Sequence, residues 1–112
     1  MSTEPIPIKP TPKNTGLKLD SGKLRYDLLP FKALQEVVKV LGHGATKYGD
    51  DNWRRLEQLE KRYLAASMRH LMSHAMSEDT DPESGLPHLA HCICSLMFIL
   101  EHHIEKAEAP ER

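Results

Sequence analysis

Apolar side chains recur at helical spacing in three stretches of the chain. Leu34, Val37, Val38, Leu41 and Ala45 form the first stripe, with Lys32, Glu36, Lys39 and His43 on the opposite, polar face. Leu64, Met68, Leu71 and Ala75 form the second, with a parallel line of Tyr63, Ser67, His70 and His74 beside it. Leu89, Ile93, Leu96 and Leu100 form the third. This periodicity predicts three helices, and no stretch alternates in the manner of a strand. The fold class expected is all-α.

Turn chemistry sets the boundaries. Asp20-Ser21-Gly22 is a turn signal. The segment Lys23 to Pro30 is too short for a helix and ends in proline. The first helix is expected to start near Pro30 or Phe31, where a missing amide does no harm, and to end at Gly49 behind Lys47. Asp50-Asp51-Asn52 reads as a loop or cap, and the second helix is expected from about Arg54 or Leu56 to Met76. An acidic loop, Ser77 to Gly85, precedes Pro87, which suits the first turn of a third helix running to about Glu105. Residues 1–19 hold Pro5, Pro7, Pro10 and Pro12 and read as an extended arm. Residues 107–112 read as a polar, frayed tail, leaving 20–106 as one domain.

The third helix changes the picture. Between Leu89 and Leu100 it also carries Cys92, Cys94, Met97, Phe98 and Ile99, so it is apolar nearly all round. Such a helix is buried on more than one side. Two other helices in a short chain cannot cover it, so a helical bundle completed by oligomerisation, as a dimer or tetramer, is expected.

Fifteen basic and sixteen acidic side chains in 112 residues give a formal net charge of −1. No overall basic field exists to hold nucleic acid. No apolar segment has the length of a membrane span or signal peptide, so neither membrane nor secretion is expected. Cys92 and Cys94, two apart on a helix, point about 200° away from each other and read as reduced, buried thiols. The expected location is cytoplasmic.

The chain has seven histidines, most of them between His70 and His103. His88 and His91 share one face at the start of the most apolar helix. A buried imidazole needs a partner, so these are either metal ligands and proton-transfer groups or core histidines bonded to carbonyls or to the acidic loop. His70, on the line beside the second stripe, can face the third helix or lie on the surface. His74, His102 and His103 read as surface groups. Between the histidine helices lie Glu78, Asp79, Asp81 and Glu83. They can bind Mg²⁺ or Mn²⁺ and activate water, or simply cap the third helix.

Phosphate needs cations, and Lys47, Arg62 and Arg69, with Lys23 and Arg25 upstream, are the candidates. Trp53 can stack on a base with Asn52 reading its edge, or can anchor its loop.

Several blocks together, Gly22-Lys23-Leu24-Arg25-Tyr26-Asp27-Leu28-Leu29-Pro30, Gly44-Ala45-Thr46-Lys47-Tyr48-Gly49 with Asn52-Trp53, Arg62-Tyr63, Arg69-His70-Leu71, and Asp81-Pro82-Glu83-Ser84-Gly85-Leu86-Pro87-His88-Leu89-Ala90-His91, resemble the phage-type dATP/dGTP diphosphohydrolases. The likeness covers about residues 20 to 101. It implies hydrolysis of a purine deoxynucleoside triphosphate to monophosphate and pyrophosphate. It also implies a phage- or prophage-encoded protein acting in a bacterial host, and a relation to the all-α MazG-like pyrophosphohydrolases, which are helical oligomers using Mg²⁺ or Mn²⁺. The Glu-Glu-x-x-Glu block of that superfamily is absent, and His88-x-x-His91 stands where Glu-x-x-Asp is expected. Ligands are therefore not carried over, and Glu36 reads as solvated.

The leading expectation is a divalent metal held by some of His70, Glu83, His88 and His91, with Glu78 or Asp81 as acid–base group. Arg25, Lys47, Arg62 and Arg69 would neutralise the triphosphate, and Asn52 and Trp53 would hold the purine. Two alternatives stand beside it: an HD-like phosphohydrolase releasing phosphate, and a non-catalytic helical adaptor.

Overall fold

The structure, a computed structural model, describes residues 16–109. The four prolines of the arm lie outside them, as do residues 110–112. The described part is all-α. Helix α1 spans Phe31–Tyr48, α2 spans Leu59–Ala75 and α3 spans His88–Glu108. Two short 3-10 turns, Tyr26–Leu28 and Asn52–Arg55, precede α1 and α2. No helix among the described residues is long and apolar enough to cross a membrane.

Helix α3 is central. Helix α2 runs antiparallel to it, with Glu60 at 3.0 Å from His103 at one end and His70 at 2.8 Å from His88 at the other. The C-terminal half of α1 also meets the start of α3, because Lys47 pairs with Glu83 and the His43 ring lies 6.3 Å from that of His91. Val37, Val40, Ala90 and Cys94 form the buried core, with Leu86 and Phe98 packed against it. Small residues on α3 at that contact let α1 approach closely.

The helix ends follow local chemistry. Pro30 caps α1, and Gly49, with φ 94°, stops it by donating its amide to Ala45 O. Asp20 O accepts the Lys23 amide at 3.1 Å, closing the expected turn with Gly22 at φ 80°.

Several expectations are corrected. Helix α2 begins at Leu59, not at Arg54 or Leu56. Gln58 adopts a left-handed φ of 55°, which breaks the helix behind it. The preceding turn is held separately against α3: Arg54 grips Glu105 with Nη1 at 2.5 and 2.7 Å, and Trp53 stacks on Phe98. Helix α3 continues through Ala107 and Glu108, which the sequence had placed in a frayed tail.

The buried faces also differ. On α1, Val37 and Val40 are buried while Val38 and Leu41 are exposed. That rotation turns Glu36 and His43 partly inward, so Glu36 is half-buried, with Lys39 Nζ 3.4 Å from its Oε2. On α2, buried Ser67 and half-buried Tyr63 and His70 face α3, while Leu64, Met68 and Leu71 are exposed. The second line, rather than the main apolar stripe, makes the intramolecular contact. Leu96, Met97, Leu100 and Ile104 of α3 also remain exposed.

Candidate metal centre

The acidic loop is a folded clasp. Asp81 N–H donates to Leu86 O, Gly85 N–H to Asp81 O and His88 N–H to Asp79 O, at 2.8 to 2.9 Å. Gly85, at φ 72°, occupies a conformation open chiefly to glycine. Asp81 Oδ2 accepts the Ser84 amide at 2.8 Å, closing the turn around Pro82 and Glu83. The clasp thereby sets the Asp81 carboxylate over the first turn of α3, beside His88 and His91.

His88 is buried, 4% exposed. Its Nε2 lies 2.7 Å from Glu78 Oε1, and its Nδ1 lies 2.8 Å from His70 Nδ1. An ionised carboxylate only accepts, so His88 donates from Nε2. With its proton on Nε2, the His88 ring presents the Nδ1 lone pair to His70, which donates its Nδ1–H. A carboxylate that fixes the tautomer of a ligating histidine is a recurring feature of metal centres.

His91 stacks on His70 with ring centroids 4.5 Å apart and planes inclined by 12°. Its Nε2 is 2.7 Å from Ser84 Oγ, which also accepts the Leu86 amide at 3.1 Å. Asp81 Oδ2 is 4.0 Å from the same nitrogen.

Burial lowers the His70 pKa below the ordinary value, and the neighbouring His91 and His88 rings reinforce the shift against the pull of Asp81. Burial lowers His91 too, with Asp81 opposing. Both rings are thus neutral at pH 7, the form that binds metal. For Asp81, burial works against ionisation, but the Ser84 amide and hydroxyl outweigh it and hold the carboxyl below its usual range.

His70, Asp81 and His88 each offer one ligand atom, and these atoms lie within 4.8 Å of one another. The donor set fits a divalent cation. Two imidazoles present the same nitrogen to each other and share a single proton, the arrangement a cation would replace, and an ionised carboxylate stands beside them.

The remaining expected residues divide. Lys47, Asn52, Trp53 and Glu83 line the cavity beside the cluster, which measures about 560 Å³. Glu83 pairs with Lys47, which holds its carboxyl below and the ammonium above their ordinary values. The Trp53 ring is packed by Phe98 at 4.6 Å and by the Arg54 guanidinium at 4.5 Å. Arg25 pairs with Asp27 and lies away from the cavity, and Arg62 and Arg69 are exposed outside its lining.

Two members of the site were missed. Ser84 was legible in the Asp81-Pro82-Glu83-Ser84 turn, where an aspartate caps the amide three residues on. His43 follows Val40 and precedes Lys47 on one helical line, a pattern obscured by assigning it to the polar face.

An all-α framework with a histidine–carboxylate donor set at the end of a helical hairpin defines a helical protein with a candidate divalent-metal centre. Residues 13–112 match the family described as dATP/dGTP diphosphohydrolase, N-terminal, and the chain belongs to that family. A dATP/dGTP diphosphohydrolase from Salmonella phage PMBT28 is 42% identical over 85 residues, covering 76% of this chain. The chain spans only 29% of that phage protein's length. No solved structure matches the chain.

Proposed function

We propose that this chain carries out metal-dependent hydrolysis of a purine deoxynucleoside triphosphate, dATP or dGTP, to the monophosphate and pyrophosphate. The observation that carries this reading is the convergence of His70, Asp81 and His88 beside a cavity of nucleotide size. The phage relative's name, dATP/dGTP diphosphohydrolase, supports the substrate class.

In this reading His70, Asp81 and His88 hold Mg²⁺ or Mn²⁺. Such an ion, when bound, neutralises phosphate oxygens and makes water more acidic. Glu78 acts by fixing the His88 tautomer and orientation. Asp81 is a ligand kept ionised by Ser84. His91, neutral and bonded to Ser84 through Nε2, is the group that would take a proton from the attacking water in this reading. Lys47 supplies a cation from α1, and Glu83 positions it. The exposed apolar bands of α2 and α3 are the surfaces through which the chain would associate with copies of itself in the host cytoplasm.

The deciding experiment is chromatography of the products after incubating the purified chain with each of the four common dNTPs and Mg²⁺ or Mn²⁺. Monophosphate and pyrophosphate from the purine nucleotides alone are expected. A cluster of two histidines and an aspartate also suits the phosphate-releasing alternative, and inorganic phosphate as product would establish it. A folded chain that turns over no nucleotide with either metal overturns the hydrolase reading in favour of the adaptor.

A further inference from the structure

The cavity beside the metal centre has two chemically different ends. At one end are the charged and titratable groups Lys47, Asp81, Glu83, His70 and His91. From there α3 contributes His91, Ser95 and Phe98 at successive turns of one face, and α2 contributes His70, Ala66 and Tyr63. Phe98 lies seven residues beyond His91, about 10 Å along the helix axis at 1.5 Å per residue. The far end is aromatic. Phe98 stacks on Trp53 at 4.6 Å and meets the Tyr63 ring at 5.0 Å, while Val40 and Cys94 complete the wall.

Within this apolar end, the Ser95 and Tyr63 hydroxyls have no hydrogen-bond partner among the described residues, although Ser95 is only 7% exposed. A helical serine commonly returns its hydroxyl to a carbonyl one turn back. Buried Ser67 on the facing helix does so, donating to Leu64 O at 2.7 Å. Ser95 does not. Neither hydroxyl is sealed from solvent, so both are open to a ligand or water in the cavity.

We propose that the aromatic end of the cavity is a nucleoside subsite in which Ser95 Oγ and Tyr63 Oη hydrogen-bond the base or sugar and determine specificity. This rests on the reading of the charged end as the triphosphate site. Neutral donors and acceptors set in aromatic walls suit a nucleoside rather than further phosphate. The separation of about 10 Å matches the reach from a bound polyphosphate through its sugar to a base. Ala66 and Ser95 are small and leave width for a planar ring. Trp53, packed by Phe98 and Arg54, buttresses this wall instead of stacking freely on the base.

The test compares the full chain with its Ser95→Ala and Tyr63→Phe variants. Readouts are kcat and KM for dATP and dGTP, and inhibition by inorganic tripolyphosphate, which occupies the charged end alone. Losing one neutral hydrogen bond is expected to raise the nucleotide KM by about three- to tenfold. The dATP-to-dGTP preference should change, and tripolyphosphate inhibition should stay at the wild-type level. Unchanged nucleotide KM in both variants overturns the subsite and leaves the hydrolase reading intact. Equal weakening of nucleotide and tripolyphosphate also overturns it, because the hydroxyls would then act on the charged end or on the fold. If the folded wild-type chain neither hydrolyses nor binds any nucleotide, the hydrolase reading fails and the subsite with it.

Discussion

His70 and His88 face each other Nδ1 to Nδ1 at 2.8 Å, across the contact between α2 and α3. Two nitrogens at that separation cannot both carry a proton, so one ring donates its Nδ1–H to the Nδ1 lone pair of the other. Glu78 at the far nitrogen of His88 decides which ring donates.

Metal binding at this pair should weaken in acid, where the cation must displace protons from the rings. Burial depresses the pKa of His70 and His91 below the ordinary 6.5. A depressed histidine favours the folded state above the unfolded pKa, and that contribution is lost as pH falls through the folded value. Stability and Mn²⁺ affinity are therefore both expected to decline progressively below pH 6.5. Calorimetric titration in buffers of different ionisation enthalpy measures the displaced protons. His88→Ala should abolish binding, whereas Glu78→Gln, which keeps an acceptor oxygen but loses the charge, should weaken it about 10- to 100-fold. Affinity that does not change between pH 5 and pH 8 would argue against these ligands.

Ser84 joins the clasp to the imidazoles. Its hydroxyl contacts His91 Nε2 and accepts the Leu86 amide, while its own amide secures Asp81. Ser84→Ala retains the amide contact and removes both hydroxyl contacts. A loss of about 1 kcal/mol in stability is expected, together with a lower kcat at a nearly unchanged nucleotide KM. Thermal melts and steady-state kinetics check the two effects separately. A wild-type kcat in this variant would remove Ser84 and its bond to His91 from the reaction.

Cys94 belongs to the core, and burial pushes its thiol up to about 11 from an ordinary 9.0. Its thiolate fraction at pH 8 should be roughly a hundredfold below that of a free cysteine. Iodoacetamide should label it only on unfolding, as mass spectrometry would show. The raised value favours the folded state below pH 9.0, and this contribution disappears as pH rises through about 11. The corresponding loss of stability is on the order of 3 kcal/mol. Rapid labelling of Cys94 in the native chain would contradict its place in the core.

The exposed bands predict self-association. Leu64, Met68 and Leu71 on α2, with Leu96, Met97 and Leu100 on α3, leave an apolar surface that one chain does not cover. Light scattering coupled to size exclusion is expected to give a mass at least twice that of one chain. Leu96→Glu should shift the population toward monomer while the far-UV spectrum stays helical. A wild-type chain that is monomeric at high micromolar concentration would refute association through these faces.

The sequence by itself determined the local structure. Helical periodicity, Pro30, Gly49, the Asp20-Ser21-Gly22 turn and the loop before His88 fix the bounds of α1 and the start of α3, because capping, φ preferences and side-chain spacing act over only a few residues, whereas the start of α2 at Leu59 and the end of α3 at Glu108 were not legible there. The same short-range logic placed histidines at the start of α3 beside a carboxylate loop. It could not settle how each helix rotates about its own axis. That choice depends on what α3 offers across the contact. Small Ala90 and Cys94 draw in Val37 and Val40 rather than Val38 and Leu41, and the polar line of Ser67 and His70 turns inward while the strongest apolar stripe of α2 is left outside. Tertiary packing therefore decided that Asp81 joins His70 and His88, that Glu83 goes to Lys47, that Trp53 lies against Phe98, and that the Ser95 hydroxyl in the cavity wall has no partner among the described residues. These are relations between residues distant in the chain, and their energies exist only once the helices are in contact.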